Sequence, residues 1–123
     1  DPIRRQWVAA TPEEAVRQRL VVWLVGSHAL PPARLAVERA LQAHGRSKRF
    51  DVLAFDTQGQ PLLLAECKRP SQPLTEAVLR QAALYNSVFQ APWLLLTNGG
   101  HTVFFSLAAG QYERVAQLPI LSS

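Results

Sequence analysis

The chain has 123 residues, 48% of them hydrophobic, which suffices for one compact core but not for two, so a single domain spanning 1–123 is expected. Its one cysteine, Cys67, excludes an internal disulfide and a cysteine-based zinc site, and fits a reducing compartment. The formal charge of +4 suits an anionic partner, and every Lys and Arg except Arg114 lies at or before Arg80. The longest apolar stretch, Leu20–Gly26, is far short of the roughly 20 residues that span a bilayer, and no charged-then-apolar signal opens the chain. A soluble, cytoplasmic protein with no membrane partner is therefore expected. The chain begins at Asp1 rather than Met and is read as trimmed, or as a piece of something longer.

Thr11-Pro12-Glu13-Glu14 starts a helix: Thr11 caps, Pro12 suits the first helical position, and Glu14 stands at the capping-box position. The helix is predicted to run to Val25 with Gly26 stopping it. Val16, Leu20, Trp23 and Leu24 form its apolar stripe, and Arg17 and Arg19 face elsewhere. Arg34–His44 is ambiguous, with strong helix propensity and a natural stop at Gly45, but also with Leu35, Val37 and Leu41 spaced for a strand. Strands follow at Lys48–Phe55 and Gln60–Lys68, joined by the turn Asp56-Thr57-Gln58-Gly59-Gln60. After Pro70 and Pro73, Thr75 opens a helix to about Phe89 that buries Val78, Ala82, Tyr85 and Phe89. Trp93–Thr97 reads as a buried strand, Asn98-Gly99-Gly100 as a turn, His101–Leu107 as the returning strand and Gln111–Val115 as a final one. Leu118–Ser123 fits no element.

Chemistry concentrates on the middle hairpin. Side chains alternate across a strand, so Glu66 and Lys68 share one face while Cys67 points to the other, and the hairpin brings Asp51 beside Glu66. Two carboxylates can then share a hard divalent cation with an ammonium next to it. Lys48 and Lys68 are the chain's only lysines, so the lysine of Glu66-Cys67-Lys68 departs from a general use of Arg. Lysine offers a compact point charge, where arginine stays planar and protonated.

The order helix, three strands, helix, strand, with Asp on the second strand and Glu-X-Lys on the third, resembles the PD-(D/E)XK nuclease superfamily. Read together, Pro12-Glu13-Glu14-Ala15-Val16-Arg17-Gln18, Arg49-Phe50-Asp51, Glu66-Cys67-Lys68-Arg69-Pro70, Gln81-Ala82-Ala83-Leu84-Tyr85-Asn86 and Leu96-Thr97-Asn98-Gly99 resemble the N-terminal nuclease domain of type I restriction enzyme R subunits. The resemblance covers Asp1 to Leu107. It implies an α/β (α+β) fold with a restriction-endonuclease-like αβββαβ core, a mixed central sheet flanked by helices, and it makes Arg34–His44 the first strand. It also implies a Mg²⁺-dependent endonuclease cutting DNA, with Mn²⁺ able to substitute. Asp51, Glu66 and the Cys67 carbonyl would bind the metal, with Glu14 completing the site. Lys68 would orient or help deprotonate the attacking water. Gln81 and Tyr85, at i and i+4, would match a Gln-x-x-x-Tyr element facing the DNA or the metal. Arg17, Arg19, Arg49 and Arg69 are candidate phosphate contacts, which set affinity without reading sequence.

Each residue also has an ordinary reading. Asp51 could be a strand-end charge paired with a neighbouring arginine, Glu14 a cap residue, Gln81 a solvated helix position and Tyr85 a core aromatic. Glu66, in the run Leu62-Leu63-Leu64-Ala65, needs a partner such as a metal or Lys68. His28, His44 and His101 lack ligand spacing, and Cys67 has no adjoining His to activate it. Two other functions remain open: a catalytically silent nucleic-acid-binding or scaffold domain of the same fold, and an RNA or DNA-repair nuclease of the same superfamily. The chain has no Gly-x-x-x-x-Gly-Lys-Ser/Thr loop, so translocation would come from a separate motor or specificity subunit. A footprint this small suggests a homodimer or a partner to grip both strands.

Overall fold

In a computed structural model, which describes residues 11–37 and 50–121, the first helix begins where its capping residues place it. The Thr11 hydroxyl accepts from the Glu14 main-chain N–H at 3.1 Å, and helix α1 runs Pro12–Ser27. Gly26 does not stop it. His28 is the C-cap, and the left-handed residue is Ala29 at φ 58, which lets the Leu30 N–H reach the Leu24 carbonyl at 3.2 Å and satisfy one of the orphan groups of the last turn.

A 3₁₀ turn at Pro32–Arg34 leads into β1, Leu35–Val37, so the ambiguous segment opens as a strand despite its helix propensity. Pairing with β2 in register Leu35↔Ala54 supplies hydrogen bonds that local propensity cannot weigh. The remainder of Arg34–His44, beyond Val37, lies outside the described residues, as do Glu38, His44, Lys48 and Arg49. β2 is Val52–Phe55 and β3 Pro61–Cys67, both shorter than expected. The turn between them is clamped by Asp56, whose carboxylate accepts from the main chain of Gln58 and of Gln60, each at 2.9 Å. Helix α2 spans Glu76–Phe89, capped by Thr75 and closed by Gln90 in the left-handed region. β4 is Trp93–Thr97, β5 Thr102–Ala108 and β6 Gln111–Val115.

The strands form one mixed sheet in the order β1-β2-β3-β4-β5-β6, with β3 and β4 parallel and every other pair antiparallel. A parallel pair needs a crossover, which α2 provides. Alternation splits the buried side chains between two cores. Val52, Ala54, Leu63, Ala65, Cys67 and Leu95 pack with Val16, Leu20 and Leu24 of α1, and Leu53, Leu64, Leu94 and Leu96 pack with Val78 and Ala82 of α2. The central strands β3 and β4 are buried on both faces, which is why they read as nearly unbroken apolar runs. Each fully buried leucine stabilises the fold by about 1.5–3 kcal/mol relative to exposure. Leu118 and Leu121 of the unassigned tail are also buried, in the α1-side core, and His28 Nδ1 meets the Pro119 carbonyl at 3.1 Å. The architecture is α+β and fits a restriction-endonuclease-like core. Among the described residues, no helix is long and apolar enough to cross a membrane.

Candidate active site

β3 carries Glu66 on the α2 side, in register with Leu96 of β4, and Cys67 on the α1 side, as alternation requires. Glu66 is only 1% exposed in this apolar setting. Its Oε2 lies 3.6 Å from the Lys68 ammonium, which fits the expectation of a cationic neighbour. Lys68 lies just past the strand, yet its main-chain N–H donates to the Thr97 carbonyl at 2.8 Å, so it is held as an extension of the β3–β4 pairing.

Asp51 precedes β2 rather than lying within it. The Val52↔Ala65 register, carried back one step, sets it opposite Glu66, and its N–H donates to the Ala65 carbonyl at 3.1 Å. The residue is 0% exposed. Asp51 Oδ2 accepts from the Cys67 main-chain N–H at 2.7 Å, while Oδ1 accepts from Arg17 Nη2 at 2.8 Å and Nε at 3.2 Å.

Arg17 corrects an expectation. It does not face away from the apolar stripe but is 5% exposed, and its guanidinium also donates through Nη1 to Glu14 Oε1, with Glu13 Oε2 4.0 Å from Nη2. A guanidinium buried against two carboxylates is not available to a phosphate backbone, so Arg17 belongs to this carboxylate cluster and not to a nucleic-acid surface. Burial opposes its charge, but the hydrogen bond and charge of Asp51, reinforced by Glu14 and Cys67, outweigh that and raise its pKa above the ordinary arginine value. The clue was available in the spacing: Arg17 is three residues after Glu14 and three and seven before Leu20 and Leu24, which places it on the buried helix face.

The remaining candidates divide. Gln81 is exposed on α2, and Tyr85 packs partly buried against the α2-side core. Arg19 is exposed and lines a cleft of about 360 Å³ with Trp23, Thr97 and Phe104, and Arg69 is exposed immediately after Lys68. Arg49 lies outside the described residues. Asn86, part of the sequence pattern, serves the fold: its side chain is buried and bonded to the Ala91 main chain and the Tyr112 hydroxyl.

Mg²⁺ takes oxygen donors and commonly only one or two protein carboxylates. Two buried carboxylates, Asp51 and Glu66, stand at facing register positions beside the Cys67 main chain, and both Asp51 oxygens already accept hydrogen bonds, from Arg17 and from the Cys67 N–H. Among the described residues, no group of three or more His, Cys, Asp and Glu side chains could hold a metal ion. Any cation held by Asp51 would also meet the guanidinium already on Oδ1.

No curated protein matches the chain. The family model for the type I restriction enzyme R protein N terminus (HSDR_N) matches residues 12–119, a span that takes in both helices, the whole described sheet and the Asp51, Glu66 and Lys68 positions. With nearly its full length matched and with a sheet that fits a restriction-endonuclease-like core, the chain belongs to the type I restriction enzyme R protein N-terminus family.

Proposed function

We propose that this domain is a divalent-cation-dependent endonuclease that hydrolyses DNA phosphodiester bonds, as the nuclease part of a restriction system. The observation that carries the reading is the buried Glu66 paired with Lys68 at 3.6 Å, one strand from a buried Asp51 that bonds the main chain between them. A carboxylate this deeply buried is costly unless cations compensate it.

In this reading Asp51, Glu66 and the Cys67 carbonyl hold Mg²⁺, for which Mn²⁺ substitutes, and Glu14 adds negative charge to the site. When bound, such an ion polarises a phosphoryl oxygen and acidifies a coordinated water. Lys68 supplies a compact positive charge that orients the attacking water and offsets the charge building on the phosphate. Glu66 holds the ammonium in place, and the Lys68–Thr97 main-chain bond fixes where its side chain starts. Gln81 and Tyr85 contact the DNA from α2, and the exposed Arg19 and Arg69, with Arg49, bind phosphates. The partners in this proposal are DNA, a motor or specificity subunit, and a second copy of the chain, with the assembly working in the cytoplasm.

The test is cleavage of supercoiled plasmid, linear duplex, single-stranded DNA and RNA with Mg²⁺ or Mn²⁺, alongside EDTA and the Lys68→Ala variant. Cutting of DNA that needs both metal and Lys68 is expected. Cutting of RNA alone, or cutting by Lys68→Ala at the normal rate, overturns it.

A second reading, a catalytically silent DNA-binding domain of the same fold, draws support from one feature: Arg17 already neutralises Asp51. DNA binding without cutting, in the presence of the motor subunit as well as without it, would favour that reading.

A further inference from the structure

We propose that Arg17 is a resident counter-cation for Asp51 and Glu14, and that a divalent ion reaches Asp51 only by competing with it. The inference rests on the metal-dependent reading above and goes beyond it by naming the residue that sets metal affinity. Two donors of one guanidinium lie on Asp51 Oδ1, and a third is on Glu14 Oε1, across 34 positions of sequence in the first case and one helical turn in the second. Asp51 is a carboxylate that the metal reading assigns to the ion, and Glu14 is the one that adds negative charge beside it. Arg17 itself is anchored by α1, whose Val16, Leu20 and Leu24 are set in the core, so it cannot swing far from the carboxylates without disturbing that packing.

The electrostatic consequence has a definite sign. A full positive charge within 3 Å of a ligand oxygen repels an incoming cation and cancels much of the field that would attract it, most strongly where water is excluded. The same guanidinium keeps buried Asp51 and partly buried Glu14 from repelling one another and stabilises the fold before any ion arrives. Metal and Arg17 are thus alternative neutralisers of one charge, and metal affinity is tuned by how firmly α1 holds the arginine. Loading then responds to whatever shifts α1, such as DNA or a partner subunit seated on it.

The test measures Mn²⁺ binding directly, from the electron paramagnetic resonance signal of the free ion, together with thermal unfolding across a Mn²⁺ titration at constant ionic strength. The proteins are the unaltered chain, Arg17→Gln, Arg17→Lys and Glu66→Gln. Arg17→Gln is expected to melt lower in EDTA, to bind Mn²⁺ about tenfold or more tightly, and to gain more melting temperature from it than the unaltered chain does. Arg17→Lys keeps the charge but cannot bridge both carboxylates with the same set of bonds, so it should tighten binding by a smaller factor, and it decides the matter if Arg17→Gln does not fold. Glu66→Gln should lose the Mn²⁺ response. Unchanged or weaker binding in the Arg17 variants, with normal binding by the unaltered chain, overturns the role of Arg17 and leaves the metal reading intact. No Mn²⁺ binding by any of the four proteins overturns both.

Discussion

The main-chain N–H of Cys67 donates to Asp51 Oδ2 at 2.7 Å, so the middle residue of the Glu66-Cys67-Lys68 triplet grips the carboxylate that leads into the neighbouring strand. The bond spans the gap between the end of β3 and the segment before β2, and it fixes the orientation of Asp51 through backbone rather than through a mobile side chain. Placement of Asp51 is therefore part of the sheet's own geometry, and a change at Asp51 disturbs folding whatever its part in the proposed chemistry.

Asp51→Ala is expected to lower stability by about 3–5 kcal/mol, because it leaves the buried Arg17 charge without its main acceptor. Asp51→Asn keeps an oxygen for the Cys67 N–H and should cost less. Urea unfolding of the two variants gives the comparison, and an Asp51→Ala protein as stable as the original would mean that Arg17 is neutralised by other groups.

Lys68→Ala should reduce cleavage on the order of 100-fold or more while leaving DNA binding in place, since in the proposed reaction it removes a charge aimed at the transition state. Lys68→Arg should recover little of that activity, because a planar guanidinium cannot take the position of a compact ammonium beside Glu66. Single-turnover cleavage rates with binding measured separately would decide it, and full activity in Lys68→Arg would show that only charge matters.

Arg19→Ala and Arg69→Ala should each weaken DNA binding uniformly across sequences and reduce the slope of log affinity against log salt by about one, with no loss of stability, because both side chains are exposed. Arg17→Ala should behave differently and melt early, because its guanidinium is buried among carboxylates. Salt-dependent binding titrations paired with melting curves separate the two classes. A salt slope unchanged by both exposed-arginine variants would remove this surface from the DNA contact.

Thr11→Ala should cost about 1 kcal/mol, within the usual range for a lost N-cap, because the Glu14 N–H then has no side-chain acceptor. The first turn of α1 carries Glu14 and supports Arg17, so fraying there should also loosen the hold on Asp51. Hydrogen exchange at the start of α1 would register this, and unchanged protection would show that the core contacts of Val16 and Leu20 alone hold the turn.

Much was legible in the order of residues because the relevant rules are local. Thr11 and Thr75 cap the helices they were expected to open, the Asp56–Gln60 and Asn98–Gly100 turns join their strands, and alternation alone separates Glu66 from Cys67. The helix stop at Gly26 was misplaced because a glycine inside an exposed turn is tolerated, and here the left-handed position fell to Ala29. Leu35–Val37 became a strand because a partner strand was waiting, and Leu118 and Leu121 became core because the end of the described chain lies against the α1-side cluster. Neither outcome is encoded within a local window.

By itself the sequence determined the alternation of helices and strands, the family, and the candidate residues Asp51, Glu66 and Lys68, since these depend on periodicity, caps and residue type at fixed spacing. Only the tertiary structure decided what those residues face. Arg17 and Asp51 are 34 positions apart, and no periodicity links a helix to a segment before a strand; their ion pair exists because α1 packs across the face of the sheet on which Cys67 is buried, bringing a guanidinium against a buried carboxylate that needs one.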